Sequence, residues 1–223
     1  MKKLYGEGAL QLLPLPDGFL FVARQSEYED KLVVSYQMYS FERGTVSPVT
    51  RSVYLQAKFG PNYSFFEQQL GDFINYKCVS LPEKRLLALY PTGESKIFAP
   101  DGEVVWEGKL TYKEFGPSDA VCSGKSVWVA FPGGDTIVRY NAKTMREELR
   151  IGSKRDNAFS KPCGLWLNES NLMVSNAVSM GIEQVNTETY TVEQYAQFEE
   201  PVYQYMKINS NEIVLLESGI YRL

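Results

Sequence analysis

The sequence predicts an all-β fold, a single five-bladed β-propeller of four-stranded antiparallel blades closed by the N-terminal strand. Three observations predict it. Short apolar bursts recur in sets of four, the first turns of successive sets fall 41 to 45 residues apart from Glu83 onward, and a Phe–Pro mark recurs where one set hands over to the next. A period of about 40–45 residues is that of one blade, a meander too small to bury its own faces and so obliged to stack on its neighbours. Fifteen Tyr and twelve Phe tilt the composition the same way, because strands pair aromatic residues across their faces. A chain of 223 residues can hold this as one domain.

Taken in order, "KKLYGEG" is a strand-like opening that precedes the first full set and is therefore free to pair elsewhere. "LQLLPL", "GFLFVA", "LVVSYQMYSF" and "VTRSVYL" form the first set, turning at "PDG" and "ERG", with "ARQSEYED" as the link between its second and third strands. The excess before the second set, "FGPNYSFFEQQLGDF", carries Phe65, Phe66 and Leu70 at the spacing of a short helical turn or packed loop. "YKCVSL", "RLLALY", "SKIFA" and "EVVWEG" make the second set. "SDAVCS", "SVWVAF", "DTIVRYN" and "MREELRI" make the third, and "CGLWL", "LMVSN", "GIEQV" and "YTVEQY" the fourth. "VYQYMKI", "EIVLLE" and "GIYRL" supply only three strands, so the opening strand is expected to complete the last blade and leave no exposed sheet edge. The blades are placed near 9–58, 73–115, 117–158, 161–198 and 201–223, the last with 2–8.

The junction marks are "FGP" at Phe59 and Phe115, "FSKP" at Phe159 and "FEEP" at Phe198. Proline fixes φ and disfavours helix in the residue before it, which suits a corner between an outer strand and the next inner one, and the Phe is expected to plug the gap between sheets. The stretches "FGPSDAVCSGKSVWVAFPGGDTIVRYNAKT" and "FSKPCGLWLNESNLMVSNAVSMGIEQVNTET" resemble NHL-type and YVTN-like β-propeller repeats. They depart from the NHL pattern where an Asp commonly follows the second strand, since Phe131 and Asn176 stand there. The resemblance implies architecture and leaves function open, because such repeats serve enzymes, receptors and scaffolds alike.

Composition narrows the chemistry. The chain has no His and a net charge of −4 with scattered Lys and Arg, so Ser/His/Asp and Cys/His nucleophile schemes and a nucleic-acid footprint are not expected. No apolar run approaches the ~20 residues of a membrane span, and the opening has no continuous apolar core of a leader, so a cytoplasmic, monomeric protein is expected. Cys78, Cys122 and Cys163 lie far apart without metal spacing and read as reduced thiols. "FPGGD" lacks the helix and Lys of a phosphate cradle and reads as a turn. Asn75, Asp119, Asn176 and Glu217 offer oxygen ligands suited to Ca²⁺ or Mg²⁺, but turn chemistry explains them better, so no metal and no cofactor is assigned.

In a four-stranded meander, the link into the inner strand and the link between second and third strands emerge on one face. There the loops carry Arg24, Tyr76, Tyr90, Asp119, Asp135, Asn176, Tyr203 and Glu217, whereas "PDG", "PEK", "SGK" and "NESN" make compact turns on the other. These eight residues are the expected ligand-binding set. The expected function is a non-catalytic module that binds a protein or a small-molecule or sugar ligand at the channel mouth. The alternatives are a small metal-dependent, lactonase-like hydrolase, a carbohydrate-active hydrolase, or a sugar-binding lectin.

Overall fold

A computed structural model of the chain describes residues 1–28, 31–60, 63–64, 77–155 and 157–223. Of these, 58% lie in strands and 8% in helices, arranged as five four-stranded antiparallel sheets, the blades of a five-bladed β-propeller. In chain order the elements are β1 (Lys2–Tyr5), β2 (Ala9–Leu15), β3 (Gly18–Tyr28), β4 (Lys31–Ser40), β5 (Thr45–Val49) and helix α1 (Arg51–Phe59). Next come β6 (Lys77–Ser80), β7 (Leu86–Leu89), β8 (Glu94–Phe98), β9 (Val104–Lys109), β10 (Asp119–Ser123), β11 (Ser126–Phe131), β12 (Thr136–Asn141) and β13 (Glu147–Ile151). The last are β14 (Pro162–Asn168), β15 (Asn171–Asn176), β16 (Gly181–Asn186), β17 (Val192–Gln197), β18 (Val202–Ile208), β19 (Asn211–Leu216) and β20 (Gly219–Arg222). No helix among the described residues is long and apolar enough to cross a membrane.

Two compact units divide the chain, Met1–Tyr63 with Val202–Leu223, and Ser64–Pro201. In the first, β2 to β5 form one blade and β18, β19, β20 and β1 form another. The N-terminal strand thus completes the last sheet as expected, with Lys2 opposite Arg222 and Lys3 opposite Tyr221. Its Tyr5 ring meets Phe21 edge to face at 4.6 Å. β1 comes so close to β20 that a Cβ on Gly219, whose φ is 143°, would stand 2.2 Å from the Tyr5 carbonyl oxygen. Only glycine fits there.

Two expectations for the first blade need correction. "ARQSEYED" is not a loop up to Tyr28: β3 and β4 continue as a long hairpin with a bulge between Arg24 and Ser26, which puts Arg24 within a strand. "VTRSVYL" is not a strand throughout. Thr50 accepts from the Val53 amide as an N-cap, and the chain turns helical over Arg51–Phe59 until Gly60 ends it with φ 79°. Burial of Tyr54, Leu55 and Phe59 along one helix face overrides the β preference of Val and Tyr. The expected turn at Phe65, Phe66 and Leu70 lies outside the described residues, as do Asn75 and Tyr76.

The second unit holds three blades, β6 to β9, β10 to β13 and β14 to β17. Alternation along β11 divides its side chains between two cores. Val127, Val129 and Phe131 pack with Leu87, Leu89 and Ile97 of the β6–β9 blade. Trp128 and Ala130 pack with Leu165, Leu172 and Val174 of the β14–β17 blade. Every one of these is buried, so β11 reads as a near-continuous apolar run. The Phe marks differ in use: Phe59 and Phe159 are buried and Phe198 partly so, whereas Phe115 is 45% exposed.

Removing residues 1–7 is expected to leave β20 as a bare edge and to lose the Tyr5–Phe21 contact. Melting temperature and the monomer fraction by size-exclusion chromatography should both fall; unchanged values would show that β1 contributes nothing to the blade.

Candidate functional site

The site is built on the second unit, starting from its innermost strands β6, β10 and β14. Each of these pairs with one neighbour only within its own sheet, so the backbone groups of its other edge need partners from elsewhere. Asp119 supplies them. It is 4% exposed at the start of β10, its Oδ1 accepts from its neighbour Ala120 N–H at 2.7 Å, and its Oδ2 accepts from Leu165 N–H of β14 at 2.8 Å. Lys77 Nζ of β6 lies 2.6 Å from Oδ1 and balances the buried charge. One carboxylate therefore ties three blades together. Beside it, Cys163 donates to the Ser175 carbonyl, and burial, with Asp119's charge second, pushes the thiol up to about 12. That thiol stays protonated and unreactive at neutral pH.

A second group sits where the loops meet. Asp135 ends the turn Pro132–Gly134 in the left-handed region and its Oδ1 accepts from Lys161 N–H at 2.8 Å. Asn176, fully buried at the end of β15, accepts from Ser160 N–H at 3.0 Å and donates through Nδ2 to Val174 O and to Glu183 Oε2. Glu183 stands on β16 opposite Val174, half-buried, and burial raises its carboxyl to about 7. Among the described residues no three Cys, Asp or Glu side chains converge on a common metal position.

The third feature is a tight turn on the link into β10. Tyr112 and Phe115 exchange both backbone hydrogen bonds at 3.0 Å, and Lys113 and Glu114 between them have φ of 49° and 70°. Both carry side chains in a region that costs about 1–2 kcal/mol each for an L-residue, so the turn is held by what lies under it. Beneath are Gly133 and Gly134. A Cβ on Gly133 would stand 2.2 Å from the Phe115 ring, and one on Gly134 would stand 2.2 Å from the Tyr112 ring. The glycine pair of "FPGGD" makes a seat for two rings.

Of the expected binding residues, Asp119, Asp135 and Asn176 lie in this unit; the first two reach from one blade to the next, and Asn176 ties the link into β14 to the end of β15. Tyr90 is partly buried at the β7–β8 link, where its carbonyl accepts from Gly93 N–H. Arg24, Tyr203 and Glu217 belong to the other unit: Arg24 N–H donates to the Gly8 carbonyl, Tyr203 is 39% exposed at the bulge of β18, and Glu217 is exposed in the β19–β20 hairpin. Tyr76 lies outside the described residues. Sequence reasoning missed Lys77, Glu183 and the Tyr112–Phe115 turn. A charged residue interrupting the apolar "GIEQV" was the available signal for Glu183, and the paired glycines of "FPGGD" the one for the turn.

No family model matches the sequence, and no curated protein sequence matches it at a significant level. Solved structures do. The chain is similar to a streptogramin B lyase at 11% identity and TM-score 0.58, over 97% of this chain and 83% of that one. It is similar to virginiamycin B lyase from Staphylococcus aureus at 11% identity and TM-score 0.54, over 96% of this chain, and spans 63% of that enzyme. It is also similar to the computationally designed Ika4 protein at 9% identity and TM-score 0.53, over 66% of this chain and 88% of that one. At these identities the likeness is one of fold.

Replacing Asp119 with Ala strands the Leu165 amide and the Lys77 ammonium, at an expected cost of about 2–4 kcal/mol. That corresponds to a fall of roughly 5–15 °C in melting temperature by calorimetry. Asp119→Asn, which keeps one acceptor and loses the charge, should fall between. A wild-type melt for Asp119→Ala would remove the carboxylate from its structural role. Glu183 makes the opposite kind of prediction. Its folded value stands above the ordinary 4.5, so the stability tied to it is full below about pH 4.5 and is lost as pH rises toward 7. Glu183→Gln should flatten the melting-temperature profile across that window, and a carboxyl carbon titration in wild type should have its midpoint near neutrality rather than near 4.5.

Proposed function

We propose that the protein is a non-catalytic, ligand- or protein-binding propeller that uses the loop-rich face of its three-blade unit. One observation carries the reading. On that face Asp119 and Asp135 accept from the backbone amides of Leu165 and Lys161 towards the next blade, and Asn176 accepts from Ser160 on the link into its own, while Phe115, Val178, Lys113 and Lys154 stand exposed to solvent. Groups of the first kind hold a scaffold; groups of the second kind make contact with a partner. A second reading, a hydrolase, is favoured by Glu183 alone: a half-buried carboxyl that protonates near neutrality has the acidity of a general acid. That the chain is similar to named lyases fits either reading, since one propeller fold carries both uses.

A thermal-shift screen with divalent ions, sugars and peptides tests the two. A bound ligand at a hundredfold excess over Kd adds about 2.7 kcal/mol, a rise of roughly 5–10 °C for a chain of this size. The binding reading expects such a rise with a peptide or sugar, lost on substitution of Phe115 or Val178, and no turnover of chromogenic ester, lactone or glycoside substrates. Stabilisation by micromolar Ca²⁺ or Mg²⁺ together with turnover abolished by Glu183→Gln would establish the hydrolase instead.

A further inference from the structure

We infer that the Tyr112–Phe115 turn, with the cations packed on its rings, is a docking platform for an acidic peptide segment that bears an apolar side chain. The inference rests on the binding reading above and names the chemistry of the partner. Three cations surround the two rings: Arg150 lies 4.5 Å and Lys113 5.2 Å from the Tyr112 centroid, and Lys154 lies 5.6 Å from that of Phe115. Packed this way, a cation is held against a ring face while its charge remains available to solvent. Among the described residues neither Lys113 nor Lys154 has a carboxylate within ion-pair distance. Arg150 is paired with Glu147 at 2.6 Å, and Asp156, beside Lys154 and Arg155, lies outside the described residues.

Lys113 and Lys154 run against the chain as a whole, whose net charge is −4, with Glu114 the one carboxylate of the turn itself. An acidic protein whose Lys113 and Lys154 have no carboxylate partner among the described residues offers, around an exposed ring, complementarity to negative charge at one place. Phe115, 45% exposed, adds the apolar anchor that a simple anion would not use. The platform is also preorganised. The glycine seat admits no larger residue beneath either ring, and the two left-handed residues fix the direction in which Lys113 and Glu114 leave the turn.

The test uses fluorescence anisotropy with the full chain and a labelled peptide of sequence DEFED, against the neutral QNFNQ and the ring-less DESED. DEFED should bind saturably, more weakly as salt rises from about 50 to about 500 mM, and at least about tenfold more tightly than either control. The K113E/K154E double variant, altered only at exposed positions, should lose about tenfold or more in affinity while melting as wild type does. Gly133→Val, which displaces the Phe115 ring without changing charge, should weaken DEFED and leave the salt dependence of any residual binding unchanged. Absence of DEFED binding, equal binding of QNFNQ, or an unaffected K113E/K154E variant overturns the inference. If a ligand found in the thermal-shift screen still stabilises K113E/K154E in full, the platform falls and the binding function stands; if Glu183-dependent turnover is found, the binding function itself falls.

Discussion

The open edge of each innermost strand is the constraint on which the rest of this structure depends. Such a strand is paired on one side within its sheet, and its outward-facing amides and carbonyls are buried too deeply for water to serve them all. The protein answers with a side chain at a fixed place, the fourth residue before the pair that closes the first hairpin. In the three-blade unit this is Asp119, four before Ser123, reaching Leu165. In the two-blade unit it is Gln204, four before Ile208, whose amide accepts from Leu12 N–H at 2.9 Å and donates to Leu12 O at 3.0 Å. Leu12 and Leu165 occupy the same place on β2 and β14, three residues before the closing pair, so the two clasps are one device in two chemistries.

The chemistries have different consequences. A primary amide donates and accepts, so Gln204 satisfies both backbone groups of Leu12 as a neutral surrogate strand. A carboxylate only accepts and brings a charge with it, and hence Asp119 requires Lys77. The matching residue on β2 is Gln11, which instead takes the Tyr54 hydroxyl at 2.7 Å and Lys58 at 3.4 Å. Here side chains of α1 serve the residue whose counterparts on β10 and β18 take a neighbouring strand's backbone. Gly164, at the same place on β14, has no side chain to offer.

What was legible in the sequence follows the range of each interaction. Strand bursts, their period and the pairing of the N-terminal strand rest on alternation and on a repeat, both visible in one dimension. So do the turns in which Asn141 and Asn186 accept from amides two and three residues on. Asp119, Asp135 and Asn176 carry the same residue types in similar places, but their partners stand 46, 26 and 16 residues away. Nothing in composition separates a local Asx turn from a clasp between distant segments. The helix at Arg51–Phe59 was hidden for a related reason: its Val and Tyr favour strand locally, and it is burial against distant residues that decides. The ring seat lay in plain view as "PGGD", yet glycine pairs mark ordinary turns far more often than they make room for someone else's side chain.

The pairing of β1 with β20 has a kinetic side. Lys2 meets Arg222 far along the sequence, and loop closure of that span must be met before the sheet of β18, β19 and β20 gains its fourth strand. During synthesis β1 emerges before β20 and waits without that partner until Gly219–Arg222 has been made. An unpaired strand is a template for the wrong edge, its own or another molecule's. Lys2 and Lys3 are exposed in the finished blade, and in the waiting strand the same two charges discourage stray pairing. Once Tyr221 arrives, Lys3 lies 5.6 Å from its ring, so the residue that guards the edge becomes part of what holds it shut.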